Sequence, residues 1–291
     1  MDSLEIFKKV RKIEIKTRGL SHQIFSGEYH SVFKGRGMSF SEVREYQYGD
    51  DIRNIDWNVT ARFNHPYIKI FEEERELTVM LLIDVSGSNN FGTNKQLKQE
   101  LVTELAAVLS FSAIQNNDKV GVIFFSDQIE KFIPPKKGTS HILRIIRELL
   151  DFKPEQTGTN ISEALRYLTN AIKKRSIAFL ISDFMDEGFE KAVRIANHKH
   201  DLIAVRLTDR RETTLPDVGM VRLQDAETGR MMWVDTGSRS VRRKYETWAA
   251  KKRESLDLLF NRLGVDMVKV YTGEDYVKPL MNLFKRREAR R

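Results

Sequence analysis

The stretch LTVMLLIDVSGSNNFG, Leu77 to Gly92, decides the fold. Seven mostly apolar residues run on without the alternation of a half-solvated strand, which marks a strand buried on both faces, as in a parallel sheet covered by helices. The run stops at Asp84, and Ser86 and Ser88 follow at alternate positions before turn-forming residues. An acid and two hydroxyls therefore stand at the mouth of a buried strand. In open parallel sheets that mouth, outside the carboxyl ends of the strands, is where ligands bind.

The same rhythm continues downstream. KVGVIFFS (Lys119–Ser126), SIAFLISD (Ser176–Asp183) and DLIAVRL (Asp201–Leu207) read as further buried strands. Amphipathic helices are predicted between them over Lys95–Gln115, Ser140–Asp151, Ile161–Lys174 and Phe189–His198, with Asn160 as N-cap of the third and Glu163 at the capping-box position. Two strand-like runs around Gly229 predict a hairpin at about residues 218–236. A long helix from about Ser240 to Leu263, the strand VDMVKVYT and a C-terminal helix follow, so the hairpin is an insertion and not a boundary. The expected fold is α/β, a mostly parallel sheet flanked by helices over residues 76–291. Residues 1–75 read as an N-terminal helix anchored by Leu4, Ile6, Phe7, Val10, Ile13 and Ile15, then a small strand-rich subdomain that ends in the strand YIKIFEEE.

Composition bounds the function. A chain of 291 residues with 41% hydrophobic content supplies a real core, and 31% charged residues spread along it argue against disorder. The net charge of +8 gathers in KKVRKIEIKTR, RRKYETWAAKKRE and FKRREARR, where intermixed acids favour solvated helix faces over a dedicated nucleic-acid surface. There are no cysteines, which excludes disulfides and thiolate metal sites. MDSLEIFKKVRK has an acid before any apolar run and no segment approaches the length of a bilayer span, so a soluble, cytoplasmic protein is expected.

Asp183 closes its strand as Asp84 does, and EQTGTNIS sets Thr157 and Thr159 at a helix start. With the two strands as neighbours, two carboxylates, two serines and a threonine face one another. Such an all-oxygen set suits a hard cation, Mg²⁺ or Mn²⁺, whose hydrated shell leaves a position for an outside ligand. Each piece alone is as readily a strand end with a capping serine, so the signal lies in the combination.

These residues resemble the metal-ion-dependent adhesion site of a von Willebrand factor A domain. By motif, Asp84, Ser86 and Ser88 match its Asp-x-Ser-x-Ser element, Thr159 in TGTN its threonine, and Asp183 in ISD its second aspartate. The resemblance implies that the serines, and sometimes the threonine, touch the cation, that the aspartates act largely through water, and that an acidic residue of a partner protein fills the open position. Two loops depart from the pattern: NNFG follows Ser88, and FMDEG follows Asp183 where Asp-Gly is frequent. Over a longer span, GRGMSFSEVREYQYGDDIRNIDWNVTARFNHPYIKIFEEE is similar to the hallmark segment of a bacterial family of unknown function, domain of unknown function fifty-eight. That family carries the A-type fold and is typically encoded beside MoxR-type AAA+ ATPases. LPDVGMVRLQDAETGRMMWVDT, the Arg-rich helix and YTGEDYVKPLMNLFKRR extend the likeness from about Ser26 to Arg287. It implies a non-enzymatic, metal-dependent adaptor that binds client proteins and works with a MoxR-type AAA+ ATPase in their assembly or maturation.

The hallmark segment packs Asp50, Asp51, Arg53, Asp56, Trp57 and Arg62 closely, as expected for hydrogen-bonded ion pairs that lock the small subdomain onto the sheet, or for a second docking surface. Enzyme signatures are missing. A dehalogenase-like phosphatase needs an acid where Ser86 stands, and there is no phosphate-binding Gly-x-x-x-x-Gly-Lys-Ser/Thr loop, no Gly-x-Ser-x-Gly and no His-Glu-x-x-His. His198 and His200, at a helix end, are expected to cap carbonyls. Two alternatives stay open at this stage: a metal-dependent hydrolase using Asp84 and Asp183, and a binder of nucleic acid or of an anionic membrane surface through the basic ends, with no motif for a specific nucleic acid.

Overall fold

Asp and Arg side chains in the hallmark segment organise turns, not a distant contact. Strand β1 (Ser39–Glu45) pairs antiparallel with β2 (Tyr67–Glu72), Glu45 opposite Tyr67. Between them Asp51 caps a short 3-10 turn by accepting Arg53 N at 3.0 Å. Asp56 caps helix α1 (Trp57–Phe63), its Oδ1 accepting Asn58 N at 2.9 Å and Val59 N at 3.3 Å, and Asn64 in the left-handed region ends the helix. Arg44 forks onto Asp50 at 2.8 and 2.9 Å, which holds the Asp50 carboxyl below its usual range. Asp50, Asp51 and Asp56 thus have local work in caps and turns, and a helix, α1, stands within the segment read as strand-rich.

The computed structural model describes residues 11, 13, 14, 17, 39–72, 77–87, 98–224 and 229–290. The chain forms two compact units, residues 33–77 and residues 1–32 with 78–291, in place of the expected division after residue 75. Ile13 explains the difference, because it packs on the buried cluster of Ala107, Phe111, Ile142, Ile146 and Leu150 in the larger unit.

That larger unit is built on a six-stranded sheet. In chain order come β3 (Thr78–Asp84), α2 (Lys98–Gln115), β4 (Lys119–Phe125), β5 (Ile129–Lys136), α3 (Thr139–Asp151), α4 (Ile161–Ala171), β6 (Ile177–Ser182), α5 (Glu190–Lys199) and β7 (Asp201–Thr208). A 3-10 turn (Arg210–Glu212), hairpin strands β8 (Met220–Gln224) and β9 (Met231–Asp235), α6 (Arg239–Arg262), β10 (Asp266–Tyr271) and α7 (Val277–Ala289) complete it. The strand order is β10-β7-β6-β3-β4-β5, every pairing parallel except β4 with β5. β3, β4 and β6 are buried almost throughout, which is why they read as unbroken apolar runs. β5 escaped the sequence reading because IEKFIPPK is mostly half-exposed and carries two prolines. Its pairing slips between Val120–Lys136 and Val122–Ile133, and Gly121 sits where an added Cβ would meet the Pro135 ring at 3.0 Å.

Helix α2 is buried along most of its length, including Ser110 and Ser112, as befits a helix under the sheet with no solvent face. On the other face a cluster of Leu82, Leu165, Leu180, Phe184, Val193 and Phe260 joins the central strands to α4, α5 and α6. The hairpin stands where expected and exposes Met220, Met231, Met232 and Trp233. His200 is a core residue, fully buried with Nδ1 2.9 Å from Ser176 Oγ, and not the carbonyl cap expected of it. No helix among the described residues is long and apolar enough to cross a membrane.

Candidate metal centre

From β3 the sheet extends one way through β4 and β5 and the other way through β6, β7 and β10, so the chain order reverses between β3 and β6. Loops leave such a junction in opposite directions and open a crevice at the carboxyl ends of the two strands. Ile83 lies opposite Ile181, which carries Asp84 and Ser182 to one rim and sets Asp183 beside them. Ser182 Oγ donates to Asp84 Oδ2 at 2.7 Å, and Ser86 N donates to Asp84 Oδ1 at 3.0 Å. Asp84 and Ser86 are each 1% exposed and Asp183 is 6% exposed.

Thr159 is half-buried on the neighbouring loop. That loop is fixed to the first motif because Gly87 N donates to Thr157 O at 2.9 Å and Asn160 N to Ser126 O at 2.7 Å. Behind it, Glu130 accepts Glu155 N and Gln156 N, and Ser126 Oγ donates to Glu130 at 2.6 Å. Asn160 caps α4 as expected, accepting Glu163 N at 2.9 Å. Asp186 reaches across from the segment after Asp183 and accepts Ile161 N at 2.8 Å, tying the two loops together. Asp84, Ser86, Thr159 and Asp183 therefore belong to loops gathered at one rim. Ser88, the fifth expected ligand, lies outside the described residues.

Three residues at the rim were not singled out from sequence. Ser182 holds Asp84. Lys98, the first described residue of α2, is fully buried and donates to Asp183 Oδ2 at 3.0 Å. Its ammonium also contacts Glu212 Oε1, and Glu212 Oε2 accepts Asp209 N at 3.0 Å in a capping box of the 3-10 turn. The segment after Asp183 turns sharply: Met185 N donates to Asp183 Oδ1 at 3.2 Å, and Phe184, buried, has φ +58°. Left-handed backbone costs a bulky residue about 1–2 kcal/mol, which explains why glycine is the easier residue there. Phe184 stays because its ring packs on Phe260 and Phe189, with centroids 5.2 and 6.1 Å away.

Burial, then the nearby charge of Asp183, push the Asp84 carboxyl up to about 7 against the hydrogen bonds of Ser182 and Ser86. Burial pulls the Lys98 ammonium down, but Asp183 and Glu212 outweigh it and the net direction is up. Burial raises Glu212. Lys98 in contact with Asp183 and Glu212, and the buried Arg206 guanidinium acting on Asp183, supply the positive charge set against the carboxylates of Asp84, Asp183 and Glu212. Among the described residues no group of three or more His, Cys, Asp or Glu side chains is arranged to hold a metal. The donor set is carboxylate and hydroxyl oxygen, which fits a hydrated hard divalent ion.

Fold and rim together define a mixed α/β protein that gathers oxygen-bearing side chains at the switch point of a mostly parallel sheet. The chain belongs to the family described as protein of unknown function DUF58, whose model matches residues 42–255. It is 27% identical over 286 residues to the uncharacterized protein Rv1480 of Mycobacterium tuberculosis, spanning 97% of this chain and 89% of that one. A shorter match, 28% over 109 residues, covers 38% of this chain and 25% of the uncharacterized protein YeaD of Bacillus subtilis. Similar solved structures include the conserved hypothetical protein BatB of Bacteroides thetaiotaomicron, with TM-score 0.48 and 18% identity over 74% of this chain and all of that one. Another is the SpRpn10 VWA domain, with TM-score 0.40 and 10% identity over 72% of this chain and 95% of that one.

Proposed function

We propose that the protein is a non-enzymatic, metal-dependent protein-binding adaptor of the von Willebrand factor A type, working with a MoxR-type AAA+ ATPase on the assembly or maturation of client proteins. The observation that carries this reading is the buried pair Asp84 and Asp183 at the switch point, with Ser86, Ser182 and the Thr159 loop gathered beside it. Asp84, Ser86, Ser88, Thr159 and Asp183 would hold Mg²⁺ or Mn²⁺, which when bound offers a Lewis-acidic position to a carboxylate from another protein. The chain's own residues do the rest. Ser182 and Ser86 N orient Asp84, Asp186 and Gly87 draw the loops together, and the apolar sheet below keeps the rim rigid. The choice of partner rests on what the resemblance of the hallmark segment and of the later motifs implies, an association with MoxR-type ATPases. The carboxylates serve as holders of charge, since every Asp84 oxygen already accepts a hydrogen bond.

Co-purification from the native cell, with and without chelator, tests this reading on wild type and Ser86→Ala. An AAA+ ATPase among the partners of wild type, lost with chelator and with Ser86→Ala, is the expected result. Absence of such an ATPase in every condition would sink the adaptor reading, and equal retention by Ser86→Ala would remove the metal from the interface.

A further inference from the structure

We propose that Lys98 is a tethered cation that competes with the divalent ion for Asp183, with Glu212 as the post to which it retreats. The inference rests on the metal-site reading above and names how that site is regulated.

Lys98 is unlike the other lysines among the described residues. Its side chain is 0% exposed, and its ammonium lies 3.0 Å from Asp183 Oδ2 and in contact with Glu212 Oε1. A lysine is taken out of water at a cost of several kcal/mol, and only close carboxylates offset that. The two acids are held by different parts of the chain. Asp183 ends β6, its other oxygen accepting Met185 N. Glu212 is anchored without reference to the metal residues: Asp209 N donates to it, and Asp209 is itself fixed by Arg211 N at 2.8 Å and Thr272 Oγ1 at 2.6 Å. Lys98 therefore has one fixed acceptor outside the metal shell and one inside it.

The charge is placed unevenly. Asp84 receives an amide and a hydroxyl, while Asp183 shares the Lys98 ammonium with Glu212. A divalent ion drawn to this rim shares Asp183 with a like charge a few ångströms away, and like charges in a buried place repel strongly. In the metal-free protein Lys98 does part of the cation's work, neutralising Asp183 and holding its loop. When the ion binds, Lys98 withdraws toward Glu212, and the start of α2, which carries Lys98, answers to the occupancy of the site. The site is thereby tuned to weak, reversible metal binding that a partner carboxylate can tip.

The test is calorimetric titration of the full chain with Mn²⁺ and with Mg²⁺, on wild type, Lys98→Met, Glu212→Gln, the double variant and Ser86→Ala. Lys98→Met is expected to bind Mn²⁺ at least about tenfold more tightly than wild type. Glu212→Gln, which leaves Lys98 leaning wholly on Asp183, is expected to bind several-fold more weakly, and that loss is expected to shrink in the Lys98→Met background, as coupled residues require. Melting of the metal-free proteins adds a second readout: Lys98→Met is expected to lower the midpoint and to recover more of it on adding Mn²⁺ than wild type does. Wild-type or weaker affinity in Lys98→Met overturns the proposal. If that variant does not fold, unchanged affinity in Glu212→Gln overturns it instead. Failure of the underlying site looks different, since then wild type binds no ion or Ser86→Ala binds as wild type does.

Discussion

Asp84 shows how a strand end becomes a site. A carboxyl pushed up to about 7 by burial and by a second acid is a group whose ionised form the fold tolerates poorly without a cation. Asparagine keeps both the acceptor for Ser86 N and a partner for Ser182 Oγ while removing the charge. Asp84→Asn is therefore expected to raise metal-free stability by about 1 kcal/mol at pH 8 and, under the proposed metal site, to abolish the rise in melting temperature expected of the wild type with Mg²⁺, a pair of changes read from melts with chelator and with excess ion. Of the site's residues, those with local motifs were legible: Asp84 and Ser86 in one run, Thr159 before a helix, Asp183 after an apolar strand. Lys98 and Glu212 were not, because nothing near either in sequence announces a buried charge. Their pairing spans over a hundred residues and exists only once β6 and the turn after β7 come together.

Between residues and fold lies the segment from Asp183 to Phe189. Its departure from Asp-Gly was visible in sequence, but not its resolution, in which Phe184 takes the backbone angle of a glycine and repays it with ring packing. The two contributions separate by substitution. Phe184→Ala loses the ring, about 3–5 kcal/mol, and keeps the unfavourable φ, whereas Phe184→Gly loses the ring and relieves the backbone. Glycine is thus expected to be the more stable of the two by about 1 kcal/mol, the reverse of the order in a helix, with urea denaturation as the measurement. Elements with uniform burial were read correctly because their pattern is unambiguous: β3, β4, β6 and β7 are inside on both faces. β5 and α1 were missed for the opposite reason. β5 is half-exposed with prolines, and α1 has no buried residue, so its periodicity carries no hydrophobic signal.

At the scale of the whole molecule, stability responds to pH through groups that folding keeps from charging. His200 is fully buried, and burial first, then Lys199 and Arg175, lower its imidazole to about 4. Between about 4 and 6.5 the unfolded chain binds a proton there that the folded protein refuses, so this residue's share of stability is present above 6.5 and is lost as pH falls toward 4. The loss is on the order of 3 kcal/mol. His200→Leu is expected to flatten that part of the profile, so that any stability advantage of the wild type over the variant shrinks as pH drops. Denaturant midpoints taken every half unit from pH 4 to 7 check it, and parallel profiles would rule it out. The sheet itself has a consequence for solubility. β5 ends it with Pro134 and Pro135, the first exposed and the second over Gly121. Successive backbone amides point to opposite sides of a strand, so one of these prolines deprives the outer rim of a donor at a place where the bulge already breaks the ladder. A stray strand from another molecule finds no continuous template along that rim, which guards the chain against growing into a shared sheet on that side.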